Sequence, residues 1–338
     1  MSNYNMKQWL ENLKGTGAKK SVPVLSFPCV SLLGISVREL ISDSDLQSKG
    51  MKLIAERTDA AASVSFMDLS VEAECFGSTV VVSDDEVPTV KGRIVNNMEE
   101  AEALTVPSIG SGRTKLYIDA IKKASREITD RPVLAGMIGP FSLAARLLDV
   151  SEIMMDCYDD PDMVHTVLTK VTTFLIEYAK AYKAAGANGI VIAEPVSGLL
   201  SPSLEEEFSS PYVKNIIDAV QDENFIIIYH NCGGNTPLMV KSFLSFGAAA
   251  YHFGNAIEMK DMLDKFPPDV LVMGNLDPAG TLRLGTPEKV KSETLDIMEK
   301  CCEYPNFVIS SGCDIPPMTP WENIDAFFEA VKEYYEKH

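Results

Sequence analysis

Short runs of apolar, often β-branched residues alternate with stretches of helical periodicity along nearly the whole chain. Eight of these runs have the length of a buried strand, and amphipathic segments that predict helices lie between them. The predicted strands are Val22–Phe27, Ala61–Phe66, Pro132–Ile138, Gly189–Ala193, the apolar beginning of Phe225–Asn235, Ala248–Phe253, Val270–Met273 and Phe307–Ser310. Eight strand-helix units are typical of a (β/α)8 or TIM barrel, which is routinely one domain at this length. We therefore predict an α/β fold with a single TIM-barrel domain over residues 1–338.

One part of the chain departs from this alternation. Residues Gly77–Ser83 and Val90–Val95 are both β-prone and flank an acidic turn, SDDEVP. They predict a small β-hairpin inserted after the second strand, at about residues 75–96. A doubly wound open sheet is the competing fold, but it would use a glycine-rich phosphate loop after an early strand. Neither GxGxxG nor GxxxxGK(S/T) occurs in the sequence.

The composition, with 46% hydrophobic and 23% charged residues, is ordinary for a soluble globular protein with a large core. Its net charge of −18 speaks against nucleic acid and anionic membrane surfaces as partners, because both are bound through clustered Lys and Arg. No apolar run is long enough to span a bilayer, and the N-terminal sequence MSNYNMKQWLENLKG predicts a polar helix rather than a signal peptide. We therefore expect a cytoplasmic protein whose partners are small molecules or other proteins.

The fifth predicted strand ends in residues that suit a metal ion. Its sequence, FIIIYHNCGGN, carries His230 and Cys232 two positions apart, so both side chains can point to the same side of an extended chain. Cys313 follows the eighth predicted strand in SSGCDIPP. A catalytic zinc takes three protein ligands and keeps one open position, so these three residues are the candidate set. The seven cysteines are irregularly spaced in a large chain, which favours ligation or catalysis over disulfides.

Other polar residues lie near predicted strands and are candidates for the same site. Glu194, after the fourth strand, could be a fourth metal ligand, a general base, or a carboxylate that accepts backbone N–H groups. Asn275 and Asp277 follow the seventh strand, although Asp277 precedes a proline and could merely begin a turn. Asp68 follows the second strand, where a solvated or helix-capping role is the simpler interpretation. His252 lies inside the sixth strand between bulky neighbours, and we expect it to pack in the core.

Five segments of the chain are similar to motifs of one protein family. They are MDLSVEAECFG at 67–77, GPFSLA at 139–144, HNCGGN at 230–235, GNLDP at 274–278 and GCDIPPMTPWEN at 312–323. On these motifs, which span nearly the whole chain, the sequence resembles the uroporphyrinogen decarboxylase superfamily. The HxC pair with a distant cysteine is the most specific part, and it resembles the superfamily's branch of corrinoid-dependent methyltransferases.

The resemblance implies that His230, Cys232 and Cys313 bind Zn2+, with Glu194 as a fourth candidate ligand. It also implies the reaction, which is methyl transfer from methylcobalamin or another methylated corrinoid. The acceptor would be a thiol such as coenzyme M, or tetrahydrofolate. The resemblance thus predicts a zinc-dependent methyltransferase of one-carbon metabolism.

Residues at the ends of other predicted strands complete the expected site. Glu194 and Asp277 are assigned to catalysis, because chemistry in such barrels collects at the carboxyl ends of the strands. Gly139, Asn275 and Asp68 are assigned to binding of the corrinoid, since a glycine permits close approach of a large flat ring. These five roles are expectations for the structure.

The corrinoid is expected on a small partner protein rather than on this chain. The motif DxHxxG, which supplies an axial histidine in many corrinoid-carrying proteins, does not occur, and the chain has only four histidines. We predict that the partner docks over the mouth of the barrel on the loops Met67–Gly77 and Gly139–Ala144.

Two other functions remain open on the sequence alone. A metal-free lyase like the decarboxylases would need basic residues at the mouth of the barrel. That family carries arginines near its N-terminus in a motif similar to RQAGR, and the corresponding Val22–Gly34 has no basic residue. A non-catalytic corrinoid-protein-binding protein would bind the partner and turn nothing over. Zinc content and a single-turnover spectrum distinguish the three functions.

Overall fold

The computed structural model describes residues 4–338, in which one parallel sheet is surrounded by helices. The strands are β1 Ser63–Val64, β2 Thr79–Val81, β3 Thr89–Lys91, β4 Val133–Ile138, β5 Gly189–Ala193, β6 Ile226–Asn231, β7 Ala250–Phe253, β8 Leu271–Leu276 and β9 Phe307–Ser311. Seven of them form the parallel sheet in the order β1-β4-β5-β6-β7-β8-β9, and β2 pairs with β3. The predicted α/β fold is confirmed.

Helices connect the successive strands of this sheet. They are α1 Met6–Asn12, α2 Cys29–Leu33, α3 Val37–Leu40, α4 Ser44–Arg57, α5 Val71–Cys75, α6 Met98–Ala103, α7 Thr114–Glu127, α8 Pro140–Leu148, α9 Val150–Asp159, α10 Pro161–Ala185, α11 Pro202–Phe208, α12 Ser210–Val220, α13 Val240–Phe246, α14 Met259–Leu263, α15 Pro287–Cys301 and α16 Trp321–Lys337. Short helical turns at Ser197–Leu199, Thr236–Leu238 and Pro278–Arg283 lie between strand ends and the helices that follow. Within residues 4–338, no helix combines the length and the apolar character needed to cross a membrane. The predicted N-terminal helix is α1, and residues 1–3 of that prediction lie outside the described residues.

Residues 21–24 connect the two edge strands of the sheet. The N–H of Ala61, just before β1, donates to the carbonyl of Ser21 at 2.8 Å, and the N–H of Val22 donates to the carbonyl of Ile309 in β9 at 3.1 Å. The segment therefore lies between the last strand and the first. This arrangement is consistent with the predicted TIM barrel.

The prediction of a regular first strand at Val22–Phe27 is nevertheless wrong, because no strand is formed there. Pro23 has no N–H to donate, and the N–H of Val24 donates to the Oγ of Ser311 at 3.0 Å instead of to a backbone carbonyl. A strand ladder cannot propagate through such a segment. Hydrogen bonds to individual groups of the neighbouring strands take its place.

Alternate residues of each strand face the inside of the curled sheet. In β6, Ile226 and Ile228 belong to the interior apolar cluster, whereas Ile227 and Tyr229 pack in the larger core that includes the surrounding helices. His230 is the next inward-facing residue, at the carboxyl end of the strand. The alternation that buries the isoleucines therefore also directs the histidine into the end of the barrel where active sites of this fold lie.

The predicted hairpin is present between β1 and β4, but it is shorter than predicted. β2 and β3 pair antiparallel, with Thr79 opposite Lys91 and Val81 opposite Thr89. Beyond them, the N–H groups of residues 94 and 95 donate to the carbonyl of Leu147 in α8, at 2.9 and 3.2 Å. Because residues 94 and 95 bind α8 instead, the second strand of the hairpin ends earlier than the predicted Val90–Val95.

Candidate metal centre

His230, Cys232 and Cys313 come together at the carboxyl end of the sheet. Cys232 follows β6 directly, and Cys313 lies two residues beyond the end of β9. The Nε2 of His230 lies 3.5 Å from the Sγ of Cys313, and the ligand atoms of all three residues lie within 4.8 Å of one another. Within residues 4–338, no other group of three or more His, Cys, Asp or Glu side chains converges closely enough to hold a metal.

The spacing of His230 and Cys313 fits a tetrahedral zinc ion. Bonds of about 2.3 Å to sulfur and about 2.0 Å to nitrogen place two such ligand atoms about 3.5 Å apart at the tetrahedral angle. The observed separation between His230 Nε2 and Cys313 Sγ is 3.5 Å. Three protein ligands leave one position for an exchangeable group, which is the pattern of a catalytic rather than a structural zinc site.

The two thiols differ in acidity because they share a hydrogen bond. The thiol of Cys313 donates to Cys232, and this contact lowers the pKa of Cys232 further than burial raises it. The same contact and burial raise the pKa of Cys313. Cys232 is therefore the more acidic thiol of the pair, and binding of a metal by both sulfurs would release the remaining thiol proton.

Two glycines permit the loops after β7 and β9 to approach the ligands closely. A Cβ atom at Gly254 would lie 2.4 Å from the Cβ of Cys232, and one at Gly312 would lie 2.9 Å from the backbone N of Asn255. Contacts this short are incompatible with any side chain at these positions. The backbones of these loops consequently pack directly beside the cysteines.

His252 has a place in the site that the sequence interpretation missed. It is buried as expected, but its Nδ1 lies 2.7 Å from Nδ1 of His230, and its Nε2 lies 2.7 Å from Oγ of Ser310. Burial holds the pKa of His252 well below its ordinary value. The available signal was the alternation along the strand, which places His252 inward in β7, directly opposite His230 in the pairing of β6 with β7.

Glu194 does not join the three ligands. Its side chain is fully buried, and its carboxylate accepts from the N–H of Phe141 at 2.8 Å and from the N–H and Oγ of Ser142 at 2.9 and 2.7 Å. Burial raises the pKa of Glu194 to about 7 against the lowering effect of these donors. The geometry therefore supports the third interpretation of Glu194, a strand-end carboxylate that binds the first turn of α8, and argues against a metal ligand or a general base.

Gly139 packs against this carboxylate rather than beside an open space. A Cβ atom at Gly139 would lie 2.2 Å from the Cγ of Glu194. Every residue of Gly139–Ala144 is buried, and so are most residues of Met67–Gly77. The expectation that a partner docks on these two loops is corrected by their burial, because they offer little accessible surface.

Asp68 forms a buried ion pair. Its carboxylate accepts from the guanidinium of Arg113, from the hydroxyl of Tyr117 at 2.7 Å and from the hydroxyl of Ser70 at 2.6 Å. The Asp68 side chain is fully buried, and that of Arg113 is 15% exposed. Glu72 is also buried nearby, one of its oxygens has no hydrogen-bond partner, and burial raises its pKa to about 8. These contacts occupy the carboxylate of Asp68, which had been expected to bind the corrinoid.

Asn275 and Asp277 hold loops of the same face in place. The side-chain amide of Asn275 donates to the carbonyls of Gly254 and Ile257, both at 2.9 Å, so it fixes the loop that packs on Cys232. Asp277 caps the turn after β8 by accepting from the N–H groups of Ala279 and Gly280 at 2.9 and 3.0 Å. Both residues border a surface cavity of about 400 Å3. The contacts of Asp277 are those of a turn-forming residue.

The sequence profile of the uroporphyrinogen decarboxylase (URO-D) family matches residues 15–334 of the chain. The protein belongs to this family. The chain is 31% identical over 274 residues to the methylcobamide:CoM methyltransferase MtbA of Methanosarcina acetivorans, and the match covers 79% of this chain and 78% of that protein. It is 27% identical over 287 residues to a uroporphyrinogen decarboxylase of Coxiella burnetii, covering 81% of this chain and 77% of the relative.

A solved structure of another methyltransferase has the same fold. The protein described as a methyltransferase from Methanosarcina mazei superposes with a TM-score of 0.85 at 25% sequence identity, and the match covers 98% of each chain. Together with the MtbA match, this similarity confirms the predicted family branch and the predicted class of enzyme, a methyltransferase.

Proposed function

We propose that this URO-D family member moves a methyl group from a methylated corrinoid, carried by a separate protein, to an acceptor at a zinc ion bound by His230, Cys232 and Cys313. One observation carries the proposal: one nitrogen and two sulfur ligands converge at the carboxyl end of the sheet. The match to a methylcobamide:CoM methyltransferase over 79% of the chain supports the reaction class.

The ligands set the charge of the proposed centre. Zinc, when bound, would act as a Lewis acid that lowers the pKa of an acceptor thiol at the open position. The thiolates of Cys232 and Cys313 cancel the two positive charges of the ion, and His230 is a neutral ligand. An acceptor thiolate would therefore retain its negative charge and its reactivity. In the transfer, the new sulfur–carbon bond forms as the cobalt–carbon bond breaks, and the cobalt keeps both electrons of that bond.

Residues around the ligands would contribute by keeping them in position. Asn275 fixes the loop that contains Gly254, and Gly254 in turn packs against Cys232. On the other side of β6, the backbone N–H of Glu194 donates to the carbonyl of His230 at 2.9 Å, while its carboxylate is bound by α8. Such positioning matters because a direct displacement depends on the alignment of acceptor, methyl group and cobalt.

A metal-free lyase is the second candidate function, because relatives named uroporphyrinogen decarboxylases also match the chain. The absence of basic residues in Val22–Gly34 and the convergence of two thiols and an imidazole both favour the methyltransferase. A non-catalytic protein that binds the corrinoid carrier is the third candidate. The three candidate functions predict different combinations of zinc content and catalytic turnover.

The proposed function is tested by incubating the purified protein with methylcobalamin and an acceptor panel that includes coenzyme M and tetrahydrofolate. We expect one zinc per chain and an acceptor-dependent change in the cobalt absorbance spectrum. Release of CO2 from a porphyrinogen by a zinc-free protein would establish the lyase instead. Tight binding of a corrinoid carrier with no spectral change in a single turnover would establish the non-catalytic function.

The loops at the carboxyl end of the sheet carry a set of exposed apolar side chains that suit a docking protein. Four of them lie between a strand end and the helix that follows it, and each is at least half exposed: Leu199 at 58%, Leu238 at 66%, Leu284 at 78% and Met318 at 51%. The loops of Leu238 and Met318 are those that follow the ligands Cys232 and Cys313. We propose that these four residues, the apolar rim, contact the corrinoid-carrying partner in place of the two buried loops.

A double variant, Leu238→Asp with Met318→Asp, is expected to slow methyl transfer from a methylated corrinoid-carrying protein by at least about tenfold, because two of the four apolar contacts are lost. Its rate with free methylcobalamin should stay near that of the wild type, since the chemistry of the centre is unchanged. Tyr158→Ser in α9 is the matched control, because Tyr158 is 70% exposed but lies outside the loops that join strand ends to helices. Equal effects on the two donors would contradict the proposed docking surface.

A further inference from the structure

A continuous chain of hydrogen bonds runs from the metal centre across the inside of the sheet. It joins His230 in β6 to His252 in β7, His252 to Ser310 in β9, and Ser310 to the carbonyl of Val22 in the segment that lies beside β9. Each of the three contacts measures 2.7 Å. The four residues are at most 3% exposed, so water does not compete for these groups.

The direction of the bonds follows from the group at the far end. The carbonyl of Val22 can only accept, so the single hydroxyl proton of Ser310 is committed to it. The oxygen of Ser310 then accepts from the Nε2–H of His252, which leaves the lone pair of a neutral His252 on Nδ1. That lone pair accepts from the Nδ1–H of His230. In the neutral ring of His230 the other lone pair is then on Nε2, the nitrogen that faces Cys313.

The neutrality of His252 has a geometric basis. Its ring is buried, and the two side chains that it contacts, an imidazole and a hydroxyl, do not compensate a positive charge. A neutral ring bonded at both nitrogens has one donor and one acceptor. Exchange of the two roles would require the Ser310 hydroxyl to give up the Val22 carbonyl.

We propose that His252 and Ser310 are positioning residues that hold His230 in the tautomer whose Nε2 lone pair is available to a metal. The proposal rests on the metal site of the proposed function, but neither residue is itself a proposed ligand. Histidine ligands usually donate their second N–H to a carboxylate, a backbone carbonyl or water. Here the N–H of His230 is bound by His252, and His252 is bound in turn by Ser310. The chain of hydrogen bonds ends at the backbone carbonyl of Val22, beside the edge strand β9.

Three variants and a control separate this role from general packing. Ser310→Ala removes the hydroxyl that orients His252, and His252→Phe also removes the acceptor for Nδ1–H of His230. His252→Asn returns an acceptor oxygen near the position of Nδ1. Ser311→Ala is the matched control, because Ser311 is equally buried and its hydroxyl also binds the segment 21–24, through the N–H of Val24.

The first readout is the zinc dissociation constant, measured by competition with a chelator. His252→Phe is expected to raise it about 10- to 100-fold, which is typical for loss of a residue that orients a ligand. Ser310→Ala should raise it less, His252→Asn should recover part of the loss, and Ser311→Ala should leave it near the wild-type value. Unchanged zinc affinity in both His252→Phe and Ser310→Ala would overturn the proposal. If His252→Phe does not fold, the smaller change Ser310→Ala decides alone.

The second readout is the 15N chemical shifts of the histidine rings in the metal-free, reduced full-length protein. We expect His230 of the wild type to show a bare Nε2 and a protonated Nδ1, and the Ser310→Ala variant to show a mixture of tautomers. A protonated Nε2 in the wild type would overturn the proposal whether or not zinc binds. A bare Nε2 in a protein that binds no zinc would instead refute the proposed metal site and leave the inferred tautomer standing.

Discussion

Cys232→Ala is expected to abolish stoichiometric zinc binding and to lower the rate of methyl transfer by about a thousandfold. The factor corresponds to losing about 4 kcal/mol of transition-state stabilisation, within the several kcal/mol that a metal ion supplies as a Lewis acid. The melting temperature should change by only a few degrees, because the sheet is stabilised by its own apolar core rather than by the metal. Metal analysis, a methylcobalamin assay and a thermal melt check the three parts.

Cys75→Ala is the control for this experiment. Cys75 is partly buried like Cys232, and its thiol donates to the carbonyl of Ser111 at 3.1 Å, away from the three ligands. The control should keep one zinc per chain and the wild-type rate. Full zinc retention in Cys232→Ala would remove this residue from the ligand set, and loss of zinc together with the fold would show that the site is structural.

Arg113→Met is expected to lower the free energy of unfolding by about 3–5 kcal/mol, because it leaves the carboxylate of Asp68 buried without its counter-charge. Water cannot replace the lost counter-charge, because none of the surface of the Asp68 side chain reaches solvent. The hydroxyls of Tyr117 and Ser70 would remain as donors, but they carry no charge. Urea denaturation followed by circular dichroism measures the effect.

Two further variants test the cause. Arg38→Met removes an arginine that forms an exposed ion pair with Asp84; the two side chains are 56% and 71% exposed. The free energy of unfolding should therefore fall by no more than about 1 kcal/mol. The double variant Arg113→Met with Asp68→Asn removes both charges and should recover much of the stability. A loss in Arg113→Met no larger than that in Arg38→Met would show that Asp68 does not depend on its ion pair.

The sequence alone was sufficient for the α/β class, for the hairpin after the second predicted strand, and for the three residues that the structure brings together. Periodicity carried these predictions, because alternating burial both defines a strand and directs every second side chain inward. It failed at residues 22–27, where apolar content suggested a strand but Pro23 removes a donor. The apolar residues there are buried because the segment fills the gap between β9 and β1, and not because it pairs as a regular strand.

The sequence left three roles open for Glu194, and the contacts of its carboxylate favour the strand-end role. Its place after β5 was predicted, but its direction was not considered. Ala193 belongs to the interior cluster and pairs in register with His230, so the next residue points away from the interior and towards α8. A position at the tip of the neighbouring strand therefore does not bring the carboxylate of Glu194 to His230, Cys232 and Cys313. The role of His252 was missed for the converse reason, since its inward direction was available from the pattern but was interpreted only as packing.

The separation of the ligands along the chain also determines when the centre can be assembled. His230 and Cys313 are 83 positions apart in the chain. During folding, the complete set of proposed ligands therefore exists only once β9 has paired with β8. We expect zinc to bind at full affinity only after this pairing, and a chain cut before β9 would keep two of the three proposed ligands.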